Sequence, residues 1–240
     1  MTVIQRCAAG SVSWISVAQM RDVDRAAIEL GLTLTRMMEN AGANLAWLAS
    51  AMLDGDVTGR DVIVLAGPGG NGGGGLVAAR RLIGWGANVD IRLASDPAGL
   101  EPIPLEQLRL LERMDSSIAV GAAALRAPDL FIDAILGYGQ RGDPRGAAAA
   151  MVAATSMARV LSLDVPTGLE LERGIVGEPV VRAERTLTLA LPKEALRTPN
   201  ARPFVGDLYL ADISIPTGVY QRLGIPYHSP FSGGPIVRLV

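Results

Sequence analysis

Residues 66–75 read AGPGGNGGGG, with seven glycines between Gly67 and Gly75 around Pro68 and Asn71. Glycines let the backbone approach an anionic ligand, and a helix starting beyond them would offer unpaired N–H groups to its charge. The string reads either as a phosphate cradle or as a flexible turn. Two aspartates recur in similar settings: Asp133 opens DAILGYG, and Asp164 stands in LSLDVPTGL before Pro166 and Thr167. Each, taken alone, also reads as a cap or turn-former. At the end of a strand, such a carboxylate can exchange a proton with a substrate hydroxyl or help hold a cation. Residues 137–146, GYGQRGDPRG, set Arg141 and Arg145 beside pliable backbone, as a phosphate clamp or a solvated turn. Lys193, the only lysine, follows an apolar run and Pro192, so it stands at a crevice rim or on the open surface.

These residues need elements to position them. Ser16 and Gln19 have capping-box spacing, and Val17, Met20, Val23, Ala27 and Leu30 recur at helical spacing before Gly31. A second helix follows on a stripe of Leu34, Met37, Met38, Ala41, Leu45, Leu48 and Met52, with the methionines read as core. From Asp61 the pattern changes to short apolar runs: 62–65, 89–93, 130–135, 160–165, 186–191 and 208–210. Runs of that kind mark strands buried on both faces. Helical stretches are expected near 76–84, 105–113 and 146–157. Alternating strands and helices imply a mostly parallel, doubly wound sheet, whose strand ends line a ligand crevice. There Asp133, Asp164 and the glycine string can converge. Residues 1–13 read as a loose tail and 224–240 as a loop-rich one. Cys7 and His228 fall in these tails and take no role.

The 240 residues are 49% hydrophobic and 19% charged, as is ordinary for a soluble globular chain. The formal charge of -2 and an aromatic content of 4% give no reason to expect nucleic acid as a partner. No apolar stretch approaches the roughly 20 residues that span a bilayer. One cysteine precludes an intrachain disulfide framework, and a cytoplasmic setting is expected.

Taken in order, the strings ISVAQMRDVDRAAIELG, MMENAG, AGPGGNGGGG, DAILGYG, LSLDVPTGL, LALPK and VGDLYLADISIP resemble the NAD(P)HX epimerase, or YjeF N-terminal domain, family. The resemblance runs from about Ile15 to Leu223, so residues 14–223 are expected to form one domain. It implies a Rossmann-like three-layer α/β/α sandwich, commonly a homodimer, that interconverts R and S hydrates of NADH and NADPH (NADHX and NADPHX) at C6. A separate ATP- or ADP-dependent dehydratase would consume the S form. Matched residue by residue, Asn71, Asp133 and Thr167 correspond to a potassium site, with threonine where the family usually has serine. Gly70, Asn71, Gly72, Gly73 and Gly74 match one substrate-binding loop; Gly137, Tyr138, Gly139, Gln140, Arg141, Gly142 and Asp143 match another. Asp164 matches the substrate-contacting aspartate and is the expected acid/base, with Lys193 a second catalytic or electrostatic candidate. The family loop usually reads GPGNNGGDG, so Gly70 and Gly74 replace an asparagine and an aspartate. Those two changes motivate the alternative: a nucleotide-binding or dimerisation module with altered or lost turnover.

Overall fold

The computed structural model describes residues 4–240. Ser16 starts helix α1 (Val17–Glu29) with the expected capping box: Gln19 N–H donates to Ser16 Oγ at 3.2 Å, and Ser16 N–H to Gln19 Oε1 at 2.9 Å. Gly31, at φ +102°, lets the chain leave the helix. Thr33 caps α2 (Leu34–Met52), whose Met37, Met38, Ala41, Leu45, Leu48 and Met52 are buried. Leu30 and Leu34, expected on the same stripes, are exposed at the connection.

The main sheet is formed by β1 (Gln5–Cys7), β2 (Asp61–Ala66), β3 (Asn88–Leu93), β4 (Ser117–Val120), β5 (Leu130–Ala134), β6 (Val160–Leu163), β9 (Arg185–Leu189), β10 (Asp207–Ala211) and β11 (Ile236–Leu239). A two-stranded ribbon, β7 (Leu169–Glu170) and β8 (Ile175–Val176), stands apart from it. The order is β1-β11-β10-β9-β6-β5-β2-β3-β4, and every pair is parallel except β10–β11. Along β2, Val62, Val64 and Ala66 pack on one side and Ile63 and Leu65 on the other. A strand with period two and both faces covered is the middle layer of a three-layer Rossmann-like fold. Helices α2, α3 (Gly70–Gly84) and α4 (Pro102–Glu112) supply the first cover, and α5 (Gly146–Ala154) the second. Short helices α6 (Arg202–Val205) and α7 (Thr217–Arg222) follow β9 and β10, and α7 packs on α1.

Three expectations are corrected. Residues 5–7 and 236–239 are strands: β1 and β11 pair with each other, and β11 extends the sheet from β10. The QRC of β1 carries no apolar run, and the IVRL of β11 follows a Pro-, Gly- and Ser-rich stretch that reads as loop, yet Ile236 and Val237 are buried there. Met1 to Val3 lie outside the described residues. The glycine string is mostly helix, since α3 begins at Gly70 rather than near Leu76. Each interior glycine costs a helix about 1 kcal/mol relative to alanine, but close packing decides here. A Cβ would lie 1.8 Å from Gly67 O at Gly72, 2.4 Å from Met38 Sδ at Gly73 and 2.6 Å from Ala134 Cβ at Gly75. The third difference is β4, a sheet-edge strand whose SIAV run is half exposed and carries no strong apolar signal.

Candidate active site

Chain order along the sheet reverses between β2, which continues to β3 and β4, and β5, which continues to β6 and β9. Connections diverge there and leave a crevice at the carboxyl ends of the strands. A cleft of about 1090 Å³ opens at that place, lined by residues after β2, β5 and β6 and by Arg21 and Asp24 of α1. The two strand ends meet closely: Gly67 N–H donates to Ala134 O at 3.0 Å, and a Cβ at Gly67 would lie 1.8 Å from Ile135 O.

Asp133, at the end of β5, is wholly buried beneath the cleft floor. Its carboxylate accepts from Ser162 Oγ at 2.8 Å, Thr167 N–H at 2.9 Å, Thr167 Oγ1 at 2.7 Å and Ile135 N–H at 3.4 Å. Burial pushes this carboxyl above the usual carboxylate range, and the hydrogen bonds oppose that rise. Asn71, on the first turn of α3, lines the cleft, and its Nδ2 is buried without a partner.

Asp164 follows β6 in the left-handed region, at φ +64°. Aspartate tolerates that conformation better than most residues, and the turn brings its carboxylate to the cleft wall. Lys193 Nζ lies 2.5 Å from Asp164 Oδ1, with the two side chains only 1% and 4% exposed. The ammonium also donates to Leu189 O at 3.0 Å and Thr188 Oγ1 at 3.3 Å, so every proton has an acceptor. A buried ion pair is tolerable only when its remaining hydrogen-bonding capacity is met in this way. Lys193 is held in place by the segment before α1. Ile15 N–H donates to Pro192 O at 3.0 Å, and Glu194 N–H donates to Ile15 O at 2.9 Å.

The other oxygen of Asp164 accepts from Tyr138 N–H at 3.1 Å. A Cβ at Gly137 would lie 3.4 Å from both Asp164 Oδ2 and Asn71 Oδ1, so those two side chains face one point across glycine backbone. The Tyr138 ring centroid is 5.6 Å from Lys193 Nζ, and its hydroxyl is 2.5 Å from Asp24 Oδ2. Burial pushes the Asp24 carboxyl upward, against the lowering effects of the Tyr138 hydrogen bond and of Lys193. The Tyr138 phenol is likewise pushed well above its ordinary value, first by burial and then by the Asp24 charge. At the rim, Arg21 donates to both oxygens of Glu172 at 3.1 Å.

Of the residues singled out in the sequence, Gly70, Asn71, Gly137, Tyr138, Gly139, Gln140, Arg141 and Asp164 line the cleft. Gln140 also ties the loop down, accepting from Gly168 N–H at 2.9 Å and donating to Gly142 O at 3.0 Å. Gly72, Gly73 and Gly74 are buried in packing contacts instead, and Leu163 stands where a side chain at Gly74 would go, with Cδ2 2.7 Å from a Cβ there. Gly142 N–H donates to Glu170 at 2.9 Å, and Asp143 accepts from Glu178 N–H at 3.2 Å, so both brace the loop outside the cleft lining. Arg141 is at the mouth, 3.7 Å from Glu172, whereas Arg145 is exposed away from the lining. Asp133, Thr167 and Lys193 lie behind the wall. The sequence reading missed Arg21, Asp24, Glu101 and Thr188. Asp24 carried a usable signal, because it stands four residues after Met20 and three before Ala27, beside the apolar face of α1.

Known proteins share this arrangement of sequence and fold. The family described as YjeF-related protein N-terminus matches residues 34–195. A protein named NAD(P)H-hydrate epimerase from Dehalogenimonas lykanthroporepellens is 41% identical over 234 residues, covering 95% of this chain and 94% of that one. The chain belongs to the YjeF-related N-terminal family. Another member, named NAD(P)H-hydrate epimerase in Truepera radiovictrix, is 35% identical and is covered along 100% of its length. A protein of Salinibacter ruber named as a bifunctional NAD(P)H-hydrate repair enzyme is 35% identical, but this chain covers 42% of it. The crystal structure of yeast YNL200c superposes with a TM-score of 0.78 at 22% identity, over 95% of this chain and 100% of that one, and so shares the YjeF-related fold.

Proposed function

We propose that this protein is an NAD(P)H-hydrate epimerase, interconverting the R and S forms of NADHX and NADPHX at C6 of the hydrated nicotinamide ring. The observation that carries this is the buried Asp164–Lys193 pair, which presents a carboxylate to the cleft at the point where the strand order reverses. C6 bears a hydroxyl and adjoins the ring nitrogen, so departure of the hydroxyl is assisted by the nitrogen lone pair. Return of water from the other face inverts the centre. Ring opening and reclosure is the alternative route. In either case a group must move a proton at the C6 oxygen, and Asp164 is the carboxylate placed to do so. Lys193 acts through it, as a counter-ion that fixes its charge and orientation.

Asn71, Asp133 and Thr167 would hold a potassium ion. The buried, unpartnered amide atom of Asn71 supports this, because an amide flip would turn an oxygen to that place and leave an acceptor in need of a cation. Oxygen donors suit a hard cation, and among the described residues no three His, Cys, Asp or Glu side chains form a metal cluster. Bound there, the ion would supply positive charge beneath the cleft floor. The functional partner would be a dehydratase that consumes the S hydrate, as a separate protein or a fused domain. A homodimer, as the resemblance implies, would cover exposed Trp47, Ile28 and Leu30 on the amino-terminal helices.

The second reading, a binding module without turnover, draws on Gly70, which leaves open space where the family's asparagine would stand. Epimerisation of purified R-NADHX, followed by chromatography in potassium and in sodium, separates the two. Asp164→Asn should lower kcat by about 10²–10⁴-fold, the range of general acid–base catalysis. A mutant as fast as wild type would remove Asp164 from the chemistry, and an inactive but folded wild type would favour the binding module.

A further inference from the structure

The reaction requires a proton donor as well as an acceptor. Asp164, held by Lys193 at Oδ1 and by the Tyr138 N–H at Oδ2, serves one face of C6, and inversion needs a second proton-transferring group at the other. Lys193 directs its protons to Asp164, Thr188 and Leu189 and stands 1% exposed, outside the cleft lining. Another proton-bearing group adjoins Asp164 and does line the cleft. Tyr138 joins Asp164 through its backbone N–H and Asp24 through its hydroxyl, so one residue spans acceptor and donor. A phenol backed by a carboxylate can pass its proton forward and be refilled from behind.

We propose that Tyr138 is the general acid of the epimerisation and that Asp24 is the positioning residue that aims its hydroxyl and restores its proton. The proposal rests on the epimerase reading. As the C6–O bond breaks, its electron pair goes to oxygen and the ring-nitrogen lone pair forms a C6=N bond. The Tyr138 proton joins the departing oxygen, which leaves as water, and a proton from Asp24 passes to the phenolate. Water then adds to the other face of C6: its oxygen pair forms the new C–O bond, the C=N pair returns to nitrogen, and the surplus proton goes to Asp164. One water leaves and one enters, and solvent carries the proton from Asp164 back to Asp24. Epimerisation in the other direction uses the same groups in reverse order. The upward push of burial on the Asp24 carboxyl favours its carrying a proton, in keeping with this role.

The test uses the full chain, R-NADHX and chromatographic separation of the epimers, with rates taken above the uncatalysed background. Tyr138→Phe keeps the ring against Lys193 and loses only the hydroxyl. Its kcat should fall about a hundredfold, with KM changed by no more than about threefold, as expected of a group that acts in the transition state. Asp24→Ala should fall comparably, and Tyr138→Phe combined with Asp24→Ala should lose no more than Tyr138→Phe alone, because the two act as one unit. Asp24→Asn still accepts the phenol hydrogen bond and should recover about tenfold over Asp24→Ala. It also carries the test should the alanine variant fail to fold, with a kcat reduced about tenfold from wild type expected. Thermal unfolding of each variant confirms that a folded protein is being compared. Tyr138→Phe at wild-type kcat, additive losses in the double variant, or Asp24→Asn at wild-type kcat would overturn the proposal while leaving the epimerase reading intact. An inactive, folded wild type would overturn both.

Discussion

Alanine substitutions along the first turns of α3 should give opposite results within a few residues of one another. At Gly70 a Cβ meets nothing within 4 Å, so Gly70→Ala gains helix propensity without a clash. It should stabilise the fold by about 0.5–1 kcal/mol, the usual gain when glycine gives way to alanine at a compatible backbone position. At Gly74 the new atom would lie 2.7 Å from Leu163 Cδ2, the end of a side chain that can shift but is otherwise closely packed. Strain of about 1–3 kcal/mol then exceeds the gain, and Gly74→Ala should be destabilising by about 1 kcal/mol. At Gly72 the new atom would lie 1.8 Å from Gly67 O, and that backbone is itself tied to the end of β5. Gly72→Ala should cost about 3 kcal/mol or more, or prevent folding. Urea denaturation followed by far-ultraviolet circular dichroism measures all three. A Gly72→Ala protein within about 1 kcal/mol of wild type, or a Gly70→Ala protein less stable than Gly74→Ala, would refute the packing account of the glycines.

Two further outcomes follow from the site. Lys193→Met removes the counter-ion and leaves the Asp164 carboxylate buried, so stability should fall by about 3–5 kcal/mol, measured by the same denaturation. A loss below about 1 kcal/mol would mean that water reaches the pair freely. For Asp24, burial holds the folded carboxyl above its unfolded value, with Tyr138, Arg21, Lys193 and Asp164 around it. Its contribution is therefore fully present below the unfolded value of about 3.9 and is lost as pH rises through the raised one. Wild type should accordingly lose stability relative to Asp24→Asn as pH rises from the unfolded carboxyl value of about 3.9 through the raised folded one. A wild type that gained on the variant over that range would reverse the sign and exclude the account.

Much of the fold was legible because the central strands are continuous apolar runs, and Val62–Leu65 or Val160–Leu163 have few other uses. The capping box of Ser16 and Gln19 was equally direct, being a local hydrogen-bond pattern written in two residues. The glycine string was misread because helix propensity argues against four consecutive glycines, 72–75, inside α3, while the contacts that require them come from Gly67, Met38, Leu163 and Ala134. Such contacts are tertiary and leave no local trace. The same holds for Asp24, which meets Tyr138 across 114 residues of chain. Asp164 and Lys193 were each found, but not their pairing, which depends on the turn after β9, where Ala190 takes φ +63°.

The strap between Ile15 and the Pro192–Glu194 segment also bears on how the protein comes into being. A ribosome delivers α1 nearly 180 residues before the partner to which it is strapped, and contacts so far apart in the chain close late because their loop entropy is large. Asp24 reaches Tyr138 from the helix on one side of that strap, and Lys193 reaches Asp164 from the other. The machinery is thus withheld from any nascent or partly folded chain and assembled by one of its last long-range closures. On refolding, catalytic competence should trail the return of helix, making turnover a reporter of finished topology rather than of secondary structure.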